Sequence, residues 1–246
     1  MVTLLNVSPK TRRAPVLKSW CLRTGVEDVS RFRRSMTVAA HSALWFVALA
    51  CASFAQAQAK LTFVKSFPES IPDYYRVVLL QNGEAEYATA ADDPQPVQFK
   101  ISEDLVKQAF DLADKLNHFK GESLEMRRKI ANMGKKTLTY ENGAERGSQT
   151  FNYSERPEAM DLVNLFERIS NTQQANIELD RIMHFDKLGL MKHLLQVEIQ
   201  LDHKDLAEPV LLVPNLEAIA VNKTYMDIAR LRARIILNKI QNTANK

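Results

Sequence analysis

Tyr74-Tyr75-Arg76-Val77-Val78-Leu79-Leu80-Gln81-Asn82-Gly83-Glu84-Ala85-Glu86-Tyr87-Ala88-Thr89 is the stretch from which the fold is read. Its first seven residues are rich in β-branched and aromatic side chains. Asn82-Gly83 then supplies the positive-φ residues of a tight turn, and the chain returns through Glu84 to Thr89, so the stretch reads as a β-hairpin. After Asp92-Asp93-Pro94 and a short Val97-Gln98-Phe99 run, the apolar period lengthens. Leu105, Ala109, Leu112 and Leu116 recur at helical spacing behind Ser102 as N-cap, with Glu103 and Asp104 at the positive end of the helix. Gly121 closes this unit.

The same order comes again downstream. Lys136-Thr137-Leu138-Thr139-Tyr140 leads into Asn142-Gly143, Ser148-Gln149-Thr150-Phe151-Asn152-Tyr153 returns, and Ser154 with Pro157 opens a helix carrying Leu162, Val163, Phe166 and Ile169. Asn82-Gly83 and Asn142-Gly143 lie 60 residues apart, and Asp104-Leu105-Val106 and Asp161-Leu162-Val163 lie 57 apart. Two short matches do not establish a duplication. Residues 60–73, with Pro68 and Pro72, read as an irregular lead-in.

From about Asn171 the pattern is helical to the end. Leu195-Gln196-Val197-Glu198-Ile199-Gln200-Leu201-Asp202 alternates like a strand, but Leu188, Met191, Leu195 and Ile199 also recur at helical spacing, and the helix is preferred. Thr224-Tyr225-Met226-Asp227 has the form of a capping box before a stripe of Ile228, Leu231 and Ile235. The expected fold is therefore α+β. Two hairpin-plus-helix units over residues 60–170 form an antiparallel sheet covered by helices, and an all-α region follows over residues 171–246.

Residues 1–59 form a leader. Arg31, Arg33 and Arg34 precede the twelve-residue apolar run Ala43 to Phe54, which is followed by Ala55-Gln56-Ala57 and Ala57-Gln58-Ala59. Charged segment, apolar segment and small-residue site follow the order of a secretory signal peptide, which places cleavage at Ala57 or Ala59. The apolar run is shorter than the ~18 residues that span a bilayer, so no transmembrane helix is expected after cleavage. The leader is long, and Met36, directly before the apolar run, is a candidate true start. Val47-Ala48-Leu49-Ala50-Cys51 loosely resembles a lipobox, which makes lipidation of Cys51 the lesser alternative. Arg33-Arg34-Ser35-Met36 is a partial twin-arginine pattern. The expected destination is the periplasm or the medium.

The charge sits in the same leader. Eight of the 33 basic and two of the 29 acidic residues precede Lys60, which leaves 25 against 27 and a net charge of −2 for the remainder. A near-neutral mature chain gives no electrostatic ground for nucleic acid as a partner. Cys21 and Cys51 are the only cysteines, and both lie in the leader. The mature chain therefore has no disulfide, no thiolate metal site and no thiol nucleophile, and must be stabilised by core burial; 46% apolar residues suffice for that.

Four segments carry a resemblance: Ile130-Ala131-Asn132-Met133-Gly134-Lys135-Lys136-Thr137, Phe151-Asn152-Tyr153-Ser154, Asp186-Lys187-Leu188-Gly189-Leu190 and Leu212-Val213-Pro214-Asn215-Leu216-Glu217-Ala218-Ile219-Ala220. With these the chain resembles uncharacterised exported bacterial proteins of no assigned function. The resemblance implies export and brings no activity, cofactor or site residue.

The residues themselves point to no catalytic set. His184 and His193 are nine apart, on opposite sides of any one helix, and His118 and His203 stand alone, so no metal pair follows. The mature glycines form no phosphate-cradling loop. Ser148 and Ser154 lack the G-x-S-x-G elbow. A carboxylate pair such as Glu84 and Glu86 shares one face of a strand, the arrangement acid–base work requires, although paired acids on an exposed hairpin are ordinarily solvated. Arg127-Arg128-Lys129, Lys135-Lys136 and Arg230 with Arg234 are interspersed with Glu122, Glu125 and Asp227, as on solvated faces. The expected function is therefore non-enzymatic binding of protein or cell-envelope components, with no cofactor, through the sheet face or the helical tail. The alternative is a hydrolase of envelope polymer or peptide that uses carboxylates.

Overall fold

The computed structural model describes residues 58–244; residues 1–57, with Met36, Cys51 and Ala57 of the expected leader, lie outside them. Six strands form one antiparallel sheet in the order β4-β3-β2-β1-β5-β6, with β1 Lys60–Ser66, β2 Tyr74–Leu80, β3 Glu84–Ala88, β4 Val97–Lys100, β5 Lys135–Asn142 and β6 Glu145–Phe151. Helices α1 (Glu103–Lys115) and α2 (Pro157–Phe185) follow the two hairpins, and α3 (Leu190–Asp202), α4 (Val213–Val221) and α5 (Asp227–Ala244) complete the chain. The α+β architecture with a helical tail is as expected.

Lys60–Ser66 is not an irregular lead-in but a central strand, paired with β2 on one side and β5 on the other. Pro68 and Pro72 confine irregular backbone to residues 67–73, whereas Lys60-Leu61-Thr62-Phe63 alternates polar and apolar, with Leu61 and Phe63 buried. The two hairpins therefore flank β1, and they are not equivalent. In the first, Leu79 pairs with Ala85 and the turn takes three residues ending at Gly83 (φ 86°). In the second, Asn142 pairs with Glu145, so the turn is Gly143-Ala144 rather than Asn142-Gly143.

Strict alternation gives the sheet a buried and an open face. Leu61, Phe63, Val77, Leu79, Tyr87, Leu138 and Phe151 pack against α1 and the first half of α2, where Phe63 stacks on Phe166 with ring centroids 5.3 Å apart. The 29-residue α2, about 44 Å long at 1.5 Å per residue, continues beyond that core. Ala175, Leu179 and Ile182 on its second half join Leu190, Leu194 and Val197 of α3, Leu216 and Ile219 of α4, and Ala229, Ala233, Ile236 and Ile240 of α5 in a second core. Between the two, residues 205–208 return onto α2: Thr172 Oγ1 donates to the Ala207 carbonyl at 2.5 Å, and Glu208 Oε1 accepts the Ser102 backbone N–H at 2.8 Å. Ser102 occupies the N-cap of α1, but its own side chain makes no capping bond.

The apolar stripes of the tail also differ from expectation. Leu195 and Ile199 on α3 and Ile228, Leu231 and Ile235 on α5, the residues from which these helices are read, are exposed. α5 instead buries Ala229, Ala233, Ile236 and Ile240, and the two alanines allow close helix packing. The helix starts at Asp227, three residues after Thr224, and the Thr224 backbone N–H donates to Asn222 Oδ1 rather than closing a capping box.

Candidate functional site

On the open face of the sheet the register lines up side chains from all six strands: Gln98, Glu86, Val78, Thr62, Thr139 and Ser148 form one row. The next row runs Lys100, Glu84, Leu80, Lys60, Glu141 and Arg146 by the same pairings. A shallow recess of about 540 Å³ lies over these rows. Thr139 and Ser148 hydroxyls bond each other at 2.9 Å, as do Thr137 and Thr150. Glu141 pairs with Lys60 and, at 3.4 Å, with Arg146; the Lys60 bond holds its carboxyl below the usual range. Glu84 and Glu86 both line the recess, Glu84 opposite Lys100 and Glu86 opposite Gln98. The face is a mixed-charge surface with hydroxyl ladders.

The four histidines among the described residues do not converge. His118 has Nε2 2.6 Å from Asp114 Oδ1 and Nδ1 2.7 Å from Glu145 Oε1, and its ring lies flat on Tyr140 at 3.9 Å. Each carboxylate takes a different ring nitrogen, so the three groups clamp α1 to the second hairpin and do not surround a common point. Lys120 also bonds Glu145 at 2.8 Å, and these contacts hold its carboxyl low. His184 bonds the Asp180 carbonyl within its own helix. His193 donates from Nε2 to the Ala175 carbonyl at 3.1 Å, and burial holds its imidazole below the ordinary histidine range. Among the described residues no group of three or more His, Cys, Asp or Glu is placed to hold a metal ion.

Lys136 departs from the solvated face expected of it. Strand alternation turns it inward, it is 3% exposed, and its Nζ donates to the carbonyls of Met133, Gly134 and Asn152 at 3.0, 3.3 and 2.8 Å. Burial lowers its pKa. It ties the loop before β5 to the end of β6.

The helical tail carries the feature that sequence reading missed. Across the seam between α3 and α5, Glu198 pairs with Arg232 and, at 3.0 Å, with Lys239, and Lys239 reaches Asp202 at 2.8 Å. These pairs climb both helices together, so α3 and α5 run parallel. At about 100° per residue, Leu195 and Ile199 lie outward of Glu198 and Asp202 on α3, and on α5 Ile228 and Ile235 lie just outside Arg232 and Lys239, with Leu231 about 40° farther out beside Ile235. Both exposed stripes therefore border one seam, Leu195 at the level of Leu231 and Ile199 at the level of Ile235. Leu188 extends the strip at one end, where the Tyr225 hydroxyl donates to the Met183 carbonyl at 3.2 Å and Lys187 lies 5.7 Å from the Tyr225 ring. The signal was present in the sequence, since each helix has two apolar stripes and only one can face the core.

No helix among the described residues is long and apolar enough to cross a membrane. No family model matches the chain, and no curated protein matches it either.

Proposed function

We propose that this chain is an exported, non-enzymatic binding protein that engages a protein partner through the aliphatic strip on α3 and α5. The single observation that carries this reading is the strip itself. Contiguous exposed apolar surface is costly in water and marks interaction sites, whereas the open sheet face is polar and ion-paired as solvated surfaces are. The near-neutral mature chain favours a protein partner over an anionic membrane surface.

Export rests on the order of the leader segments, and the fold supports one of the two cleavage sites over the other. Ala59 is 3% exposed within the first core and its carbonyl accepts the Gln81 N–H at 3.0 Å. Cleavage after Ala57 keeps this residue; cleavage after Ala59 removes it.

A photo-crosslinking amino acid placed at Leu231 in cells expressing the full chain tests the binding role, with the same group at Thr62 on the open sheet face as control. Adducts from position 231 and none from position 62 are expected. Equal yields from both positions, or none from 231, would overturn it.

A further inference from the structure

The geometry points to a second copy of this chain as the occupant of the α3–α5 strip, an inference that rests on the binding role proposed above and names its partner.

Area comes first. Leu188 and Ile228 keep 83% and 58% of their surface exposed, Leu195 and Ile199 45% and 48%, and Leu231 and Ile235 55% and 40%. At roughly 200 Å² for a fully exposed residue of this size, the six present about 650 Å², at the upper limit of the largest patch an ordinary monomer shows. A standard interface buries about 600–1,000 Å² from each partner, so one strip laid on another reaches the lower part of that range.

Charge comes second. Glu198 and Asp202 offset Arg232 and Lys239 along the seam, leaving it neutral. Each of these charges already has a partner within its own copy, so covering the strip strands no unpaired ion, the usual obstacle to self-association.

Composition comes third. The six residues are all Leu or Ile and hold no side-chain donor or acceptor, so the strip demands no matching polar pattern from its partner. An identical aliphatic strip is complementary to it, and a two-fold axis across the parallel helix pair closes the assembly at two copies.

Protein purified from cells expressing the full chain is compared by sedimentation and light scattering at roughly 1 to 100 µM, a range that brackets ordinary dimer affinities. The wild type and an Asp111→Lys control on α1 are expected to give the dimer mass. Leu231→Lys and, independently, Ile199→Lys are expected to weaken dimerisation by about 100-fold. Both residues are already half exposed, so circular dichroism is expected to report an unchanged fold for at least one. A monomeric wild type across the range, or a dimer unaffected by a folded variant at either position, overturns the proposal. Crosslinking at 231 separates the two levels of inference: a monomer that still forms adducts with a different protein removes the dimer and leaves the binding role standing, and a monomer without adducts removes both.

Discussion

The His118 carbonyl oxygen stands 1.9 Å from where a Cβ on Gly147 would lie, so β6 and the turn after α1 approach each other as closely as only glycine permits. The turn itself is left-handed over Asn117, His118 and Phe119, with φ of 51°, 51° and 60°. The two carboxylates on His118 and the stacking of its ring on Tyr140 hold that conformation in place.

Gly147→Ala is therefore expected to destabilise the protein by about 3 kcal/mol or more, because neither strand nor turn backbone can retreat. Gly121→Ala is the comparison. Gly121 has open space around it, and only its φ of 112° resists a side chain, so a cost of about 1–2 kcal/mol is expected. Urea denaturation of the two variants gives the order.

Lys136→Met is expected to cost about 2–4 kcal/mol in the same measurement. The methionine fills the volume but leaves the Met133, Gly134 and Asn152 carbonyls without their donor in a buried site. A neutral effect would show that water replaces the ammonium there.

His193 gives a pH dependence of stability. Its folded-state pKa lies below the unfolded value because burial disfavours the charged ring, while Glu178 and Arg181 on α2 act in opposite directions. The unfolded state then binds the proton more readily, so this contribution is complete above the ordinary histidine pKa of about 6.5 and is lost as pH falls through the window below it. The denaturation midpoint of the wild type is expected to fall more between pH 7.5 and 5.5 than that of His193→Gln, set against the common background from other groups.

Processing offers a direct mass measurement. The exported product is expected to begin at Gln58, retaining Ala59 and its bond to Gln81. A product beginning at Lys60 would show that the fold forgoes this contact, and a lipid-modified product beginning at Cys51 would make it an anchored lipoprotein.

Much of the fold was legible from local chemistry. Asn82-Gly83 and the strand alternation around it fix a hairpin, and Pro157 opens α2 as proline at a first helical turn should. β1 was masked because Pro68 and Pro72 colour the composition of the window after it, while the strand's own alternation is only a few residues long. The tail was harder for a different reason. A 3.6-residue period announces a helix but not which stripe is buried when two are apolar. Ile228, Leu231 and Ile235 look more like core than Ala229 and Ala233, yet the alanines are buried because the neighbouring helices come close there. The candidate site is the residue of that ambiguity: of two apolar stripes on α5, Ala229, Ala233, Ile236 and Ile240 face the core, and Ile228, Leu231 and Ile235 face out.

The exposure of that second apolar stripe can be measured in place, because Cys21 and Cys51, the two cysteines of the sequence, both precede the proposed cleavage site. A single Leu231→Cys variant, expressed as the full chain, is labelled with a small maleimide in intact cells and again after purification and dilution, with Thr62→Cys on the open sheet face as reference. Protection of position 231 in cells and rapid labelling of the diluted protein, with position 62 reactive in both, is the predicted result. Equal and rapid labelling of both positions in cells would contradict the account, because the aliphatic strip would then stand uncovered where the protein works.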